Sequence, residues 1–133
     1  MDEMFNILPV LWVASSKRDF LEMPDDVVDG FGFGLYQAQK GKHPKIGKVL
    51  KGFGGASVIE LIRDHADGTF RFVYTIRFAD LVVVLHAFQK KSKKGIETPQ
   101  QDTDLIRSRL KLAEAMYKEW KTKGGKNGRR SRL

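Results

Sequence analysis

The stretch FRFVYTIRF, residues 70–78, constrains this chain more than any other. Phe70, Phe72, Tyr74, Ile76 and Phe78 fall on one parity, and Arg71, Val73, Thr75 and Arg77 on the other. Side chains of a strand point alternately to opposite faces, so this period of two predicts a strand with one aromatic face that must be covered. Its neighbours read as strands too. Val58–Arg63 precedes it across the turn Ala66–Gly68, and Leu81 to about Gln89 follows the tight Ala79–Asp80 connection. Links this short imply an antiparallel meander.

Val10–Ala14 reads as a further short strand, confined by Pro9 to a strand start or a sheet edge. Ser15 and Ser16 offer an N-cap, with Asp19 in capping-box position after Ser16. The short helix through Phe20 and Leu21 should stop before Pro24. Pro24, Asp25 and Asp26 suit the first turn of a second helix, in which Val28, Phe31, Leu35 and Ala38 recur at helical spacing through about Gln39. Gly41–Gly55 is rich in Gly and Lys and reads as a loop. Thr98, Pro99 and Gln101 mark the start of a last helix, lined by Ile106, Leu110, Ala113, Tyr117 and Trp120 and surrounded by Arg107, Arg109 and Lys111. The order β-αα-βββ-α predicts an α+β domain over residues 1–123, its helices packed on one face of a small antiparallel sheet. From Gly124 to Leu133 there is no apolar periodicity, and residues 124–133 read as a disordered basic tail.

The length of 133 residues suits one domain, and no cysteine is present for disulfides or thiolate metal sites. The N-terminal apolar run is too short to span a bilayer and follows acids rather than a basic signal-peptide start, so a soluble cytoplasmic protein is expected. His43, His65 and His86 are scattered without metal-ligand spacing, and no Ser–His–Asp or Cys–His arrangement can be assembled. No metal and no cofactor is expected. GFGFG, residues 30–34, lies inside the second helix rather than in a βαβ unit, so close helix packing explains it better than a dinucleotide.

A net charge of +8 implies either a polyanionic partner or a merely basic surface, and the placement of the charge must decide. Arg71 lies mid-strand on the face away from the phenylalanines. If that face is packed, Arg71 needs a paired acid; if open, it can grip a phosphate with two donors. Arg77 shares its parity at the strand end. Lys90, Lys91, Lys93 and Lys94 crowd the end of the last strand, just before a helix N-terminus that itself attracts anions. Lys45, Lys48 and Lys51 form a second basic loop. Such runs are often only solvated, but three basic elements approaching one sheet point to a polyphosphate ligand. His86 is either an acid, base or binding group there, or a structural histidine.

The order and spacing of KGFG at 51–54, RFVY at 71–74 and LHAFQKK at 85–91 followed by TP resemble the phage-derived HigB-like toxins of the RelE/ParE superfamily, over about residues 8–120. The resemblance implies a RelE-like fold and the toxin role in a type II toxin–antitoxin pair, with a helix-turn-helix antitoxin as partner. It also implies ribosome-dependent, metal-independent cleavage of mRNA, which would inhibit translation. Arg71 then matches the phosphate-binding arginine, Lys91 a basic catalytic position and Lys90 the basic residue beside it. Lys90 or Lys91 would act as acid or base with His86 as substitute, while Lys48, Lys51, Arg77, Lys93 and Lys94 would hold RNA phosphates. The chain departs from ribosome-dependent RelE-type enzymes at Glu60 and Ile62, where they carry basic residues. It also has no tyrosine before Pro99 and an apparent insertion at Gly95–Glu97. Two alternatives remain: a ParE-like toxin that poisons gyrase without cutting, or a non-catalytic nucleic-acid-binding phage accessory protein.

Overall fold

The computed structural model describes residues 7–55, 57–66, 68–90 and 98–124. Along them run β1 (Val10–Trp12), α1 (Ser16–Leu21), α2 (Asp25–Gln39), β2 (Gly47–Val49), β3 (Val58–His65), β4 (Gly68–Thr75), β5 (Val82–Lys90) and α3 (Gln100–Thr122). The strands form one sheet in the order β1-β5-β4-β3-β2, an α+β arrangement with the alternating strand at its centre. All eight residues of β4 are buried, as both covered faces require. The meander β3-β4-β5 is antiparallel, as its short links imply, whereas β1 lies parallel to β5. That parallel pairing is open to β1 because a long connection separates the two strands.

The helices do not share one face. Phe70, Phe72 and Tyr74 meet Phe20 of α1 and Val27, Phe31 and Leu35 of α2 on one side. Phe72 is the hub, with ring centroids 5.1 Å from Phe20, 5.5 Å from Phe31 and 6.2 Å from Trp12. On the other side Val73, Val83 and Leu85 pack under Ile106, Leu110 and Ala113 of α3. The expectation of helices on one face is thereby corrected. Val73 with Val58, Leu81, Val83 and Leu85 makes that face apolar enough to need its own layer, and α3 supplies it at about 1.5–3 kcal/mol per fully buried large side chain.

Other local expectations shift for identifiable reasons. The Gly/Lys-rich segment 41–55 contains β2, because β3 offers it a partner in the register Gly47↔Leu61, Lys48↔Glu60, Val49↔Ile59. Lysines tolerate such an edge position. β4 ends at Thr75, short of Phe78, and Ile76 N–H turns to the Ser57 carbonyl. Of the two serines offered, Ser15 occupies the cap position of α1, whereas Pro99 rather than Thr98 occupies that of α3. α2 stops where Gly41 takes φ 82, its N–H donating to the Ala38 carbonyl, a left-handed closure that favours glycine.

Candidate functional site

The β4–β5 register decides which residues share Arg71's face. Val73 pairs with His86 but Tyr74 pairs with Val84, so Leu85 is an extra residue in β5. Before this bulge Val82 and Val84 join the α1/α2 core; beyond it Ala87 does. Cross-strand partners lie on one face, so Val73↔His86, Arg71↔Phe88 and Thr69↔Lys90 put His86, Phe88 and Lys90 on the α3 side. Lys48, opposite Glu60, which itself pairs with Val73, lies on that same side. Lys48, Arg71 and Lys90 therefore share the α3 face of the sheet, with Lys48 and Arg71 linked through Glu60.

Arg71 is not open to solvent there. Its side chain is 2% exposed, and its Nη1 lies 3.1 Å from Oε2 of Glu60, itself wholly buried. Thr98 Oγ1 donates to the same Oε2 at 2.9 Å, which explains why this threonine is not spent on capping α3. Lys48 Nζ stands 4.0 Å from Oε1 with its side chain 39% exposed. Of the two alternatives for Arg71, the packed face with a paired acid is the one present. A permanent charge in a low-dielectric interior demands such a partner.

His86 is 6% exposed and stacks on Phe88 at 4.5 Å. Its Nε2 meets Asp102 Oδ1 at 2.8 Å, and Arg109 Nη1 stands 3.4 Å from its Nδ1. An arginine can only donate, so this geometry suits a neutral ring protonated at Nε2. Burial lowers the pKa of His86, partly offset by the hydrogen bond and charge of Asp102. Arg109 also donates to the Leu85 carbonyl at 2.9 Å and to Ser15 Oγ at 3.2 Å, and Ser15 Oγ donates to Asp19 at 2.7 Å. Burial lowers the pKa of Arg109 as well, and the Asp19 charge opposes that. Both ring nitrogens of His86 are thus engaged in tying β5, α3 and α1 together, the arrangement of a structural histidine.

Arg77 lies two residues beyond the end of β4, where it donates to the Phe53 carbonyl at 2.6 Å and contacts Glu114 and Ser57 at 3.3 Å. Lys51 is exposed beside that same loop, which Arg107 also holds through the Gly52 carbonyl at 3.0 Å. Arg77 and Lys51 are therefore not gathered with Arg71. Lys91, Lys93 and Lys94 lie outside the described residues, as do residues 125–133 of the tail. Sequence reasoning named Glu60 only as a departure and passed over Asp102 and the inward role of Arg109. A buried Arg71 and His86 each required a partner, and that requirement was the available signal. Among the described residues no cluster of His, Cys, Asp and Glu could hold a metal, and no helix is long and apolar enough to cross a membrane.

The family model described as Phage derived protein Gp49-like matches residues 18–111, most of the chain and all of the sheet beyond β1. The chain belongs to the Gp49-like family. The match to this phage-derived Gp49-like family takes in both the β5 bulge and the Glu60–Arg71 pair. No curated protein matches the sequence. Among solved structures, the Gp49-like chain is similar to a chain of the toxin–antitoxin complex RelBE2 from Mycobacterium tuberculosis. That similarity has a TM-score of 0.45 at 20% identity, over 68% of this chain and 100% of that one.

Proposed function

We propose that this chain is the toxin of a type II toxin–antitoxin pair of HigB-like kind, a metal-independent mRNA endoribonuclease that works on the ribosome in the cytoplasm. The observation that supports the reading is that Lys48, Arg71 and Lys90 share one face of the sheet. Cleavage next to a 2′-hydroxyl needs a proton acceptor, a charge for the phosphorane and a donor for the 5′-oxygen. Lys90 and Lys91 are the acid–base candidates, as the basic residues at and just after the end of β5. Arg71 would meet phosphate only after substrate replaces Glu60 as its partner, and His86 acts through positioning. Lys48 and Lys51, with Arg77, Lys93 and Lys94, contribute to phosphate attraction whose strength falls with salt. A cognate helix-turn-helix antitoxin would neutralise the toxin.

The test is induction of the intact chain in bacteria without antitoxin, followed by mapping of mRNA 5′ ends. New ends on translated messages, appearing before DNA replication fails, are the expected result. A second reading, a toxin that binds a protein target such as gyrase and cuts nothing, is favoured by the engaged states of Arg71 and His86. Growth arrest with intact messages and failed DNA supercoiling would select it. Normal growth at high soluble yield would remove both.

A further inference from the structure

The GFGFG motif places two phenylalanines in opposite settings. Phe31 is wholly buried in the core, whereas Phe33 is 62% exposed in the middle of α2. The flanking glycines let α2 approach the sheet. A Cβ on Gly34 would stand 2.7 Å from Leu61 Cδ1, and one on Gly30 2.6 Å from Arg63 Nη1. Beside this close approach lies a groove of about 460 Å³ between α2 and the segment entering β2, walled by Phe33 and Ile46, with Gln37, Lys45 and Arg63 at its rim. Ile46 is itself 40% exposed. Two large apolar side chains facing a shared groove form a site that gains by being covered.

We infer that this groove receives an amphipathic helix of a partner protein, inserting an apolar side chain between Phe33 and Ile46 and setting an acid against Lys45. Under the toxin–antitoxin reading, on which this rests, the partner is the antitoxin. β2 is an edge strand, but it is poorly open to strand addition. The outward Gly47 N–H already donates to the Pro44 carbonyl at 3.0 Å, and the Gly47 carbonyl meets His43 Nε2 at 3.1 Å. Recognition must then come through side chains in the groove, the mode of helix docking. The rim selects the sign of the partner. Arg63 is paired with Asp26 at 3.3 Å, while Lys45 has no ion pair among the described residues, so the complementary charge is negative.

The experiment titrates the purified full chain with the purified protein whose co-expression relieves its growth arrest. Phe33→Asp should weaken binding at least about tenfold, given the apolar area lost. Lys45→Glu should weaken it by an amount that fades with salt. Leu112→Asp, the same change at another exposed apolar residue, should bind as wild type. Thermal melts of each variant establish that all three fold. Wild-type affinity in Phe33→Asp overturns the groove, and if growth arrest is still neutralised the toxin reading survives alone. No binding by the wild-type chain overturns both. Self-association that Phe33→Asp abolishes would assign the groove to a second copy and overturn the inference.

Discussion

Replacing Arg71 by alanine leaves the Glu60 carboxylate, wholly buried, with Thr98 Oγ1 at 2.9 Å and Lys48 Nζ at 4.0 Å as its remaining close partners among the described residues. Removing one member of a buried pair costs about 3–5 kcal/mol, because the other is stranded without solvent or countercharge. Against a typical domain stability of roughly 5–15 kcal/mol that is a large loss. With a urea slope of about 2 kcal/mol per molar, the midpoint should fall by roughly 2 M. Replacing both members, Arg71→Met with Glu60→Leu, removes the stranded charge and should recover to within about 1 kcal/mol of wild type. Urea titration followed by circular dichroism gives all three numbers. A midpoint within about 0.5 M of wild type for Arg71→Ala, or a double variant less stable than the single, would refute the reasoning and return Arg71 to the solvent as a direct phosphate ligand. The result also decides how growth assays are read. Loss of toxicity in Arg71→Ala identifies a ligand only if the fold survives.

His86 predicts a pH dependence of known sign. Burial lowers its folded pKa, so below the ordinary histidine value of about 6.5 the unfolded chain takes up a proton that the folded chain refuses. Its contribution is complete above that value and declines as pH falls towards the folded pKa; His86→Gln should flatten this part of a Tm–pH profile, and an unchanged slope would count against it. Gly34→Ala should destabilise, since Leu61 is packed and cannot yield, whereas Gly30→Ala should be neutral or stabilise by up to about 1 kcal/mol, since the Arg63 head group can swing aside. Denaturation midpoints of the two variants should therefore move in different directions or by clearly different amounts. Lys90→Ala should slow single-turnover cleavage on programmed ribosomes more than it weakens binding, because the register puts Lys90 on Arg71's face. Equal losses that salt erases would reduce it to a solvated charge.

The alternation of residues 70–78 and the apolar stripe of α3 were legible because each is a local period that any backbone of that type must express. The αα-hairpin and its stop before Pro24 were legible for a similar reason, since proline acts on its immediate neighbours. β2 was hidden in a Gly- and Lys-rich segment because a three-residue edge strand exists only where β3 presents hydrogen-bonding groups to it. The candidate site was only partly legible. Composition marked Arg71, Lys48 and the lysines from Lys90 onward, and of Lys90 and Lys91 the family resemblance favoured Lys91 as the catalytic one. One unpaired residue, Leu85, sets the parity of the end of β5 and puts Lys90 on Arg71's face. A bulge has no fixed sequence signature; it reflects how two distant strands settle their hydrogen bonds while keeping Leu85 under Ile106 and Ala87 in the opposite core. The sequence by itself determined that β4 has an aromatic face and a face carrying Arg71. Only the tertiary structure decided that α3 covers the second face and that Glu60 meets the guanidinium there, because burial depends on which layers pack, and that is settled by the whole chain at once.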